Sequence, residues 1–313
     1  MIALQDIQAA QTRIANYIRH TPLIEAKPVK QPICEAQALY LKLECLQICG
    51  SFKARGAVNK LLSLPPNQLQ YGLVTASGGN HGLGVAYAGW LAHVPVTIYL
   101  PQSTPLVKVQ RLESWGARVI FAGAVWDEAN QAALQAAEQE GLNYIHPFAD
   151  PLVIAGQGTV GLEILEEAPD IDLLLVAIGG GGLISGVSRA VRSVKPEIKV
   201  IGVEPVGAPT LYESVRAGEI VELSQITTTA GTLAPRRSAA INLEIIQQHV
   251  DDIVLVTDEE MREAARWLWF EMGVAAELSG AAAVAALLSG KVSPAPSEKV
   301  CALVCGAGTD GMQ

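Results

Sequence analysis

The sequence is short of charge, of aromatic rings and of paired cysteines. Only 17% of its 313 residues are charged and 5% are aromatic, while half are hydrophobic. A chain this apolar is not disordered as a whole. Lys and Arg number 22 against 31 Asp and Glu, a formal charge of −9. That balance, with no Lys/Arg cluster, argues against a nucleic-acid partner. The five cysteines (34, 45, 49, 301 and 305) contain no CxxC pair. They make neither a disulfide framework nor a zinc ribbon, and a reduced cytoplasmic setting is expected. The first twenty residues lack a basic start followed by an apolar block, so no secretory signal is expected.

A second absence is local. From residue 61 to 107 there is no Asp, Glu, Lys or Arg. A membrane span needs about 20 continuous apolar residues. Here Pro65, Pro66, Pro95, Pro101, Pro105 and the polar run 77–81 interrupt the stretch. It reads as strands and helices buried on several sides, and no membrane partner is expected.

What is present is alternation. Short apolar runs at 39–43, 72–76, 96–100, 118–121, 173–178, 199–203, 253–256 and 300–304 read as strands. Helical patterns cover 4–18, 54–63, 81–92, 105–115, 126–139, 151–166, 182–194, 258–271 and 279–289. Such alternation predicts an α/β fold of open, mostly parallel sheets flanked by helices. Helix starts are expected at Ser103-Thr104-Pro105, at Asp150-Pro151 and at Thr257-Asp258-Glu259-Glu260.

Three segments join a strand to a helix through small residues, where ligands of parallel sheets collect. Gly179-Gly180-Gly181-Gly182 follows an apolar strand and can offer amides and a helix start to a phosphate. No GxxxxGK[ST] pattern follows, so it is not a nucleotide P-loop. A dinucleotide loop is the rival, with Glu204 ending the next strand. Gly50-Ser51-Phe52-Lys53-Ala54 places a lysine between an aromatic ring and a small-residue helix start. Partial burial there would lower its pKa and make it a Schiff-base nucleophile; a surface lysine is the plain alternative. Ser77-Gly78-Gly79-Asn80-His81 is a polar turn that can hold a carboxylate or a phenolate oxygen, or simply cap a helix.

The motifs GSFKARGA, SGGNHG and GGGGLISG, in this order, resemble the fold-type II pyridoxal-phosphate enzymes. Within them the chain is most similar to the serine/threonine dehydratase and serine racemase group. The resemblance runs from Arg19-His20-Thr21-Pro22-Leu23 to Cys305-Gly306. It implies two twisted, mostly parallel sheets, like those of the tryptophan synthase β chain. It implies a large cofactor domain of residues 1–70 and 149–313, and a small mobile domain of 71–148. The cofactor implied is pyridoxal 5′-phosphate. Lys53 would carry it and Phe52 would pack beside its ring. Asn80 would bond the ring oxygen, and Gly179, Gly180, Gly181 and Gly182 the phosphate. Cys305 would face the ring nitrogen. Ser77, Gly78, Gly79, Asn80 and His81 would grip the substrate carboxylate. The reaction implied is dehydration and deamination of L-threonine or L-serine, with Lys53 taking the α-proton, in a homodimer.

Local departures refine this. Racemases of the group usually carry a second serine where this chain has Gly78, so two-base racemisation is not expected. Relatives that bind a divalent cation use Glu and Asp; here Glu204 is present but Thr210 stands in the Asp position, and no metal is expected. Glu204 is then read as a solvated strand-end carboxylate, and Cys49, in place of the usual Thr, as a packing cysteine. The sequence stops soon after the last strand, which leaves no room for the regulatory domain of biosynthetic threonine dehydratases. Dehydration of a modified hydroxy amino acid such as a hydroxyaspartate, and β-replacement or racemisation, are the alternatives on this scaffold. The former would need a cation such as Arg111, Arg236 or Arg237, which read as surface charges. A nicotinamide-dependent oxidoreductase or a non-catalytic amino-acid sensor leaves Lys53 and the polar turn unexplained.

Overall fold

Two separate sheets form in a computed structural model that describes residues 2–312. Met1 and Gln313, the outer ends of the expected large domain, lie outside the described residues. The strands are β1 (Leu23–Glu25), β2 (Ala38–Lys42), β3 (Leu73–Thr75), β4 (Val96–Leu100), β5 (Arg118–Phe121), β6 (Asn143–Tyr144), β7 (Leu173–Ala177), β8 (Lys199–Pro205), β9 (Asp252–Val256) and β10 (Lys299–Leu303). The helices are α1 (Leu4–Ile14), α2 (Lys53–Leu62), α3 (Pro66–Leu69), α4 (Asn80–Ala92), α5 (Leu106–Glu113), α6 (Trp126–Glu140), α7 (Pro151–Glu167), α8 (Gly182–Val194), α9 (Thr210–Ala217), α10 (Ala240–His249), α11 (Asp258–Met272) and α12 (Leu278–Leu288).

The larger sheet runs β1-β2-β10-β7-β8-β9, parallel except for the β1–β2 pair. The smaller sheet runs β5-β4-β3-β6, all parallel. Every residue of β7 is buried, as a parallel strand covered on both faces requires. The α12 helix is buried from Leu278 to Leu287, which its run of alanines permits. No described helix is long and apolar enough to cross a membrane.

Eight strands and nine helices lie where the alternation predicts them, within a few residues. The additions have physical reasons. The β1 and β6 strands are three and two residues long, too short to show a period. The α3 helix, only four residues long, and the α9 and α10 helices also fall where no element is expected. Asp150 caps α7 through Leu152 N and Val153 N, and Thr257 with Glu260 forms a capping box on α11. The Ser103-Thr104-Pro105 expectation is corrected: α5 starts at Leu106, Pro105 occupies the N-cap, and no side chain caps it.

Sheet order places the site. Strands β2, β10 and β7 are neighbours, paired Leu303↔Lys42 and Ala302↔Leu175. Their carboxyl ends lead to Lys53, Cys305 and the four glycines respectively. The carboxyl end of β3, in the other sheet, leads to residues 77–81.

Candidate active site

Lys53 is the first residue of α2. The chain reaches it through Cys49 and Gly50, both with positive φ (62° and 80°), which turn the backbone back against the end of β10. Ser51 then pairs with Gly306, and Phe52 N donates to Cys305 O at 3.4 Å. Gly84 lets α4 come close: a Cβ there would lie 3.0 Å from the Lys53 carbonyl. The Lys53 Nζ donates to Pro147 O at 2.7 Å and stands 5.1 Å from the centre of the Phe52 ring. Among the described residues no carboxylate forms an ion pair with it. Burial strips the ammonium of water and lowers its pKa to about 8.

The four glycines form the turn between β7 and α8. Gly181, at φ +92°, is the N-cap residue, and no side chain caps the helix. Ser185 N bonds Gly181 O at 2.9 Å, so the amides just before it precede the helical ladder. The Gly180 carbonyl accepts from Asn242 Nδ2 (2.7 Å) and Ser238 Oγ (3.0 Å). A trans peptide points its N–H opposite to its C=O, so the Gly181 amide faces away from α10. Phe148 closes one side: a Cβ on Gly180 would meet its ring at 2.1 Å. Thr232 closes another, its carbonyl 2.9 Å from a Cβ on Gly179. The result is an uncapped helix start whose amides suit an anion.

The polar turn comes from the other sheet. Gly79 N donates to Ser77 Oγ at 3.3 Å, and Gly79 is the N-cap residue of α4. Gly78 faces Leu100 and Thr104, each 3.3 Å from a Cβ built there. His81 turns inward: its ring is 4% exposed and its Nε2 meets Ile145 O at 2.9 Å. Among the described residues Nδ1 has no partner, and burial pushes the pKa down to about 3. Asn80 Nδ2 donates to Glu277 Oε1 at 2.8 Å. Cys305 is buried, its Sγ donates to Ser279 O at 3.3 Å, and burial holds its thiol well above the usual range.

Glu277 is absent from the sequence reading, yet its carboxyl sits among these groups. The signal is there: it is the one charged residue between 273 and 290. Thr232, Pro147 and Phe148 were also unpredicted, and each belongs to a segment without a motif. Glu204 needs correction. It is fully buried, not solvated, and caps α9 by accepting from Leu211 N (2.9 Å) and Tyr212 N (2.7 Å). Burial raises its pKa to about 8. The Thr210 hydroxyl donates to Pro235 O. Arg111 Nη2 contacts the Cys49 carbonyl at 3.3 Å, and Arg236 pairs with Glu222 on the surface. Cys49 is half-buried against the smaller core.

The family model described as pyridoxal-phosphate dependent enzyme matches residues 14–306. An L-threonine ammonia-lyase of Thermotoga maritima is 42% identical over 289 residues, 92% of this chain and 72% of that protein. Maize serine racemase superposes with a TM-score of 0.91 at 35% identity, covering 98% of this chain and 93% of that one. Threonine deaminase isoform 2 of Solanum lycopersicum also gives 0.91 at 35%, covering 98% and 89%.

Proposed function

The chain belongs to the pyridoxal-phosphate-dependent enzyme family, and from that premise we propose how its own residues deaminate L-threonine. The activity is that of an ammonia-lyase: L-threonine gives 2-oxobutyrate and ammonia, and L-serine would give pyruvate. The observation that carries the reading is Lys53, a buried amine with a carbonyl partner, no carboxylate partner and a pKa lowered to about 8. Such an amine can attack a carbonyl and afterwards accept a proton.

The residues present fit the cofactor. The uncapped start of α8 leaves amides for its phosphate, and the glycines there have no room for side chains. Lys53 would carry it, Phe52 would flank its ring, Asn80 would donate to a ring oxygen and Cys305 would face the ring nitrogen. When bound, the cofactor supplies an electron sink for the charge left at the substrate α-carbon. Lys53 Nζ takes the α-proton. Cys305, a neutral thiol rather than a carboxylate, favours loss of the β-hydroxyl over transamination. Ser77 and the amides at the start of α4 would hold the substrate carboxylate. Gly78 offers no proton for a second face, which supports elimination over racemisation.

Residues 71–148 would act as the small mobile domain and close over the large one to exclude water. The reading includes a cytoplasmic homodimer, in keeping with five unpaired cysteines. The test is release of 2-oxo acid from L-threonine and L-serine by the purified yellow protein. Oxo acid and ammonia in equal amounts are expected. A cofactor absorbance that shifts with amino acid but yields no oxo acid would move the reaction to replacement or racemisation. Light scattering at twice the chain mass checks the dimer.

A further inference from the structure

We infer that Glu277 is a positioning residue: its carboxyl locks the Asn80 amide in one orientation and ties it to the Cys305 side of the site. The inference rests on the proposed roles of Asn80 and Cys305 towards the cofactor. Glu277 Oε1 gathers three donors: Asn80 Nδ2 at 2.8 Å, Thr232 Oγ1 at 3.4 Å, and the Ser279 hydroxyl. Ser279 in turn accepts the Cys305 thiol through its backbone carbonyl at 3.3 Å. One continuous path thus runs Asn80–Glu277–Ser279–Cys305. Its two ends are the groups proposed to meet the oxygen and the nitrogen of one ring.

The carboxyl has no simpler employment. Glu277 occupies the N-cap position of α12, but its side chain does not cap the helix. Leu278 N is satisfied instead by Asp310 Oδ2 at 2.8 Å. Among the described residues Glu277 forms no ion pair, and burial raises its pKa; the Asp310 carboxyl adds to the rise and the three neutral donors oppose it. The backbone is shaped around it. A Cβ on Gly306 would lie 2.4 Å from Oε1, and one on Gly308 would lie 2.6 Å from the Glu277 Cβ. A carboxyl oxygen lined by neutral donors gives an asparagine amide a direction. The N–H₂ end is attracted to it and the C=O end is repelled. Asn80 is thereby kept from flipping, and its second N–H stays available to the cofactor.

A positioning role predicts that Glu277 and Asn80 act as one unit. The measurements are the visible absorbance of the bound cofactor, its dissociation constant, and kcat and KM for L-threonine, on the holoenzyme. Glu277→Ala is expected to shift the absorbance band and lower kcat about 10- to 100-fold, with KM little changed. Asn80→Ala should move the band in the same way, and the double variant should add little to either. Glu277→Gln, the same size, is expected to fall between, because its amide can present oxygen or nitrogen to Asn80; it also serves if the alanine variant does not fold. Fully additive losses in the double variant would overturn the inference, as would an unmoved band in both Glu277 variants while Asn80→Ala shifts it. No band shift with Asn80→Ala would overturn the proposed role of Asn80, and the inference with it.

Discussion

Two polar clusters lie near Lys53, one buried around Arg55 and one half-buried around Glu277, and they are built on opposite principles. Behind it, on α2, Arg55 is fully buried and forked between two carboxylates. It reaches Glu44 (2.7 and 2.8 Å) and Glu163 (2.6 and 2.8 Å). Lys42, also fully buried, joins Glu163 and Glu167, each at 2.9 Å. In front of it, Asn80, Glu277, Thr232 and Ser279 make hydrogen bonds without a single ion pair. The pKa values record the difference. Burial alone would raise the Glu163 carboxyl, but Arg55 and Lys42 hold it below the usual range. Glu277 has only neutral donors, and burial pushes it up. Charges that cancel hold elements in place, while charges left without a counter-ion keep their pKa values shifted and available for chemistry.

The sharpest break in this comparison is at Lys53 itself. Lys53→Ala should reduce oxo-acid release by more than about a thousandfold, since the proposed reading gives both the cofactor and the α-proton to Lys53. Wild-type-like turnover in a clean preparation would sink the assignment.

The next test separates holding from chemistry. Arg55→Ala leaves Glu44 buried without an ionic partner and Glu163 with Lys42 alone, which costs about 3–5 kcal/mol of stability. Glu277→Gln removes one charge that has no ionic partner and should cost less than about 1 kcal/mol. Denaturant unfolding of the two holoenzyme variants reads this directly. Equal losses would mean that the front cluster is structural as well.

The sequence announces the turns around Lys53 far better than it announces either cluster. Lys53, Asn80 and the four glycines stand at strand-to-helix turns, where small residues break an apolar pattern, so local reading finds them. Arg55 is visible in the same motif, but its partners lie 11 and 108 residues away, and no spacing connects them. Glu277 reaches Asn80 across 197 residues, from one sheet's helices to the other's. The fold was legible for the same local reason. Long periodic elements appear in the sequence, whereas α9 does not, because its cap is Glu204 on β8.

That remote cap supplies an effect confined to pH dependence and a second check on burial without a counter-ion. Glu204 has a pKa near 8 in the folded chain against about 4.5 when unfolded. The folded state therefore holds the extra proton between those values. Its stabilising contribution is complete below pH 4.5 and is lost as pH rises through about 8. In Glu204→Gln the proton is gone but an acceptor for Leu211 N or Tyr212 N remains. The variant's stability should fall less steeply than the wild type's between pH 5 and 8, by on the order of 2 kcal/mol. The holoenzyme is the right form for this measurement, because on the proposed reading Lys53 would then carry the cofactor and its own titration would drop out. Parallel curves for the two proteins would mean that the two amides of α9 hold Glu204 ionised throughout. Helix-start donors would then outweigh burial at Glu204, and the contrast between the paired and unpaired carboxylates would rest on Glu277 alone.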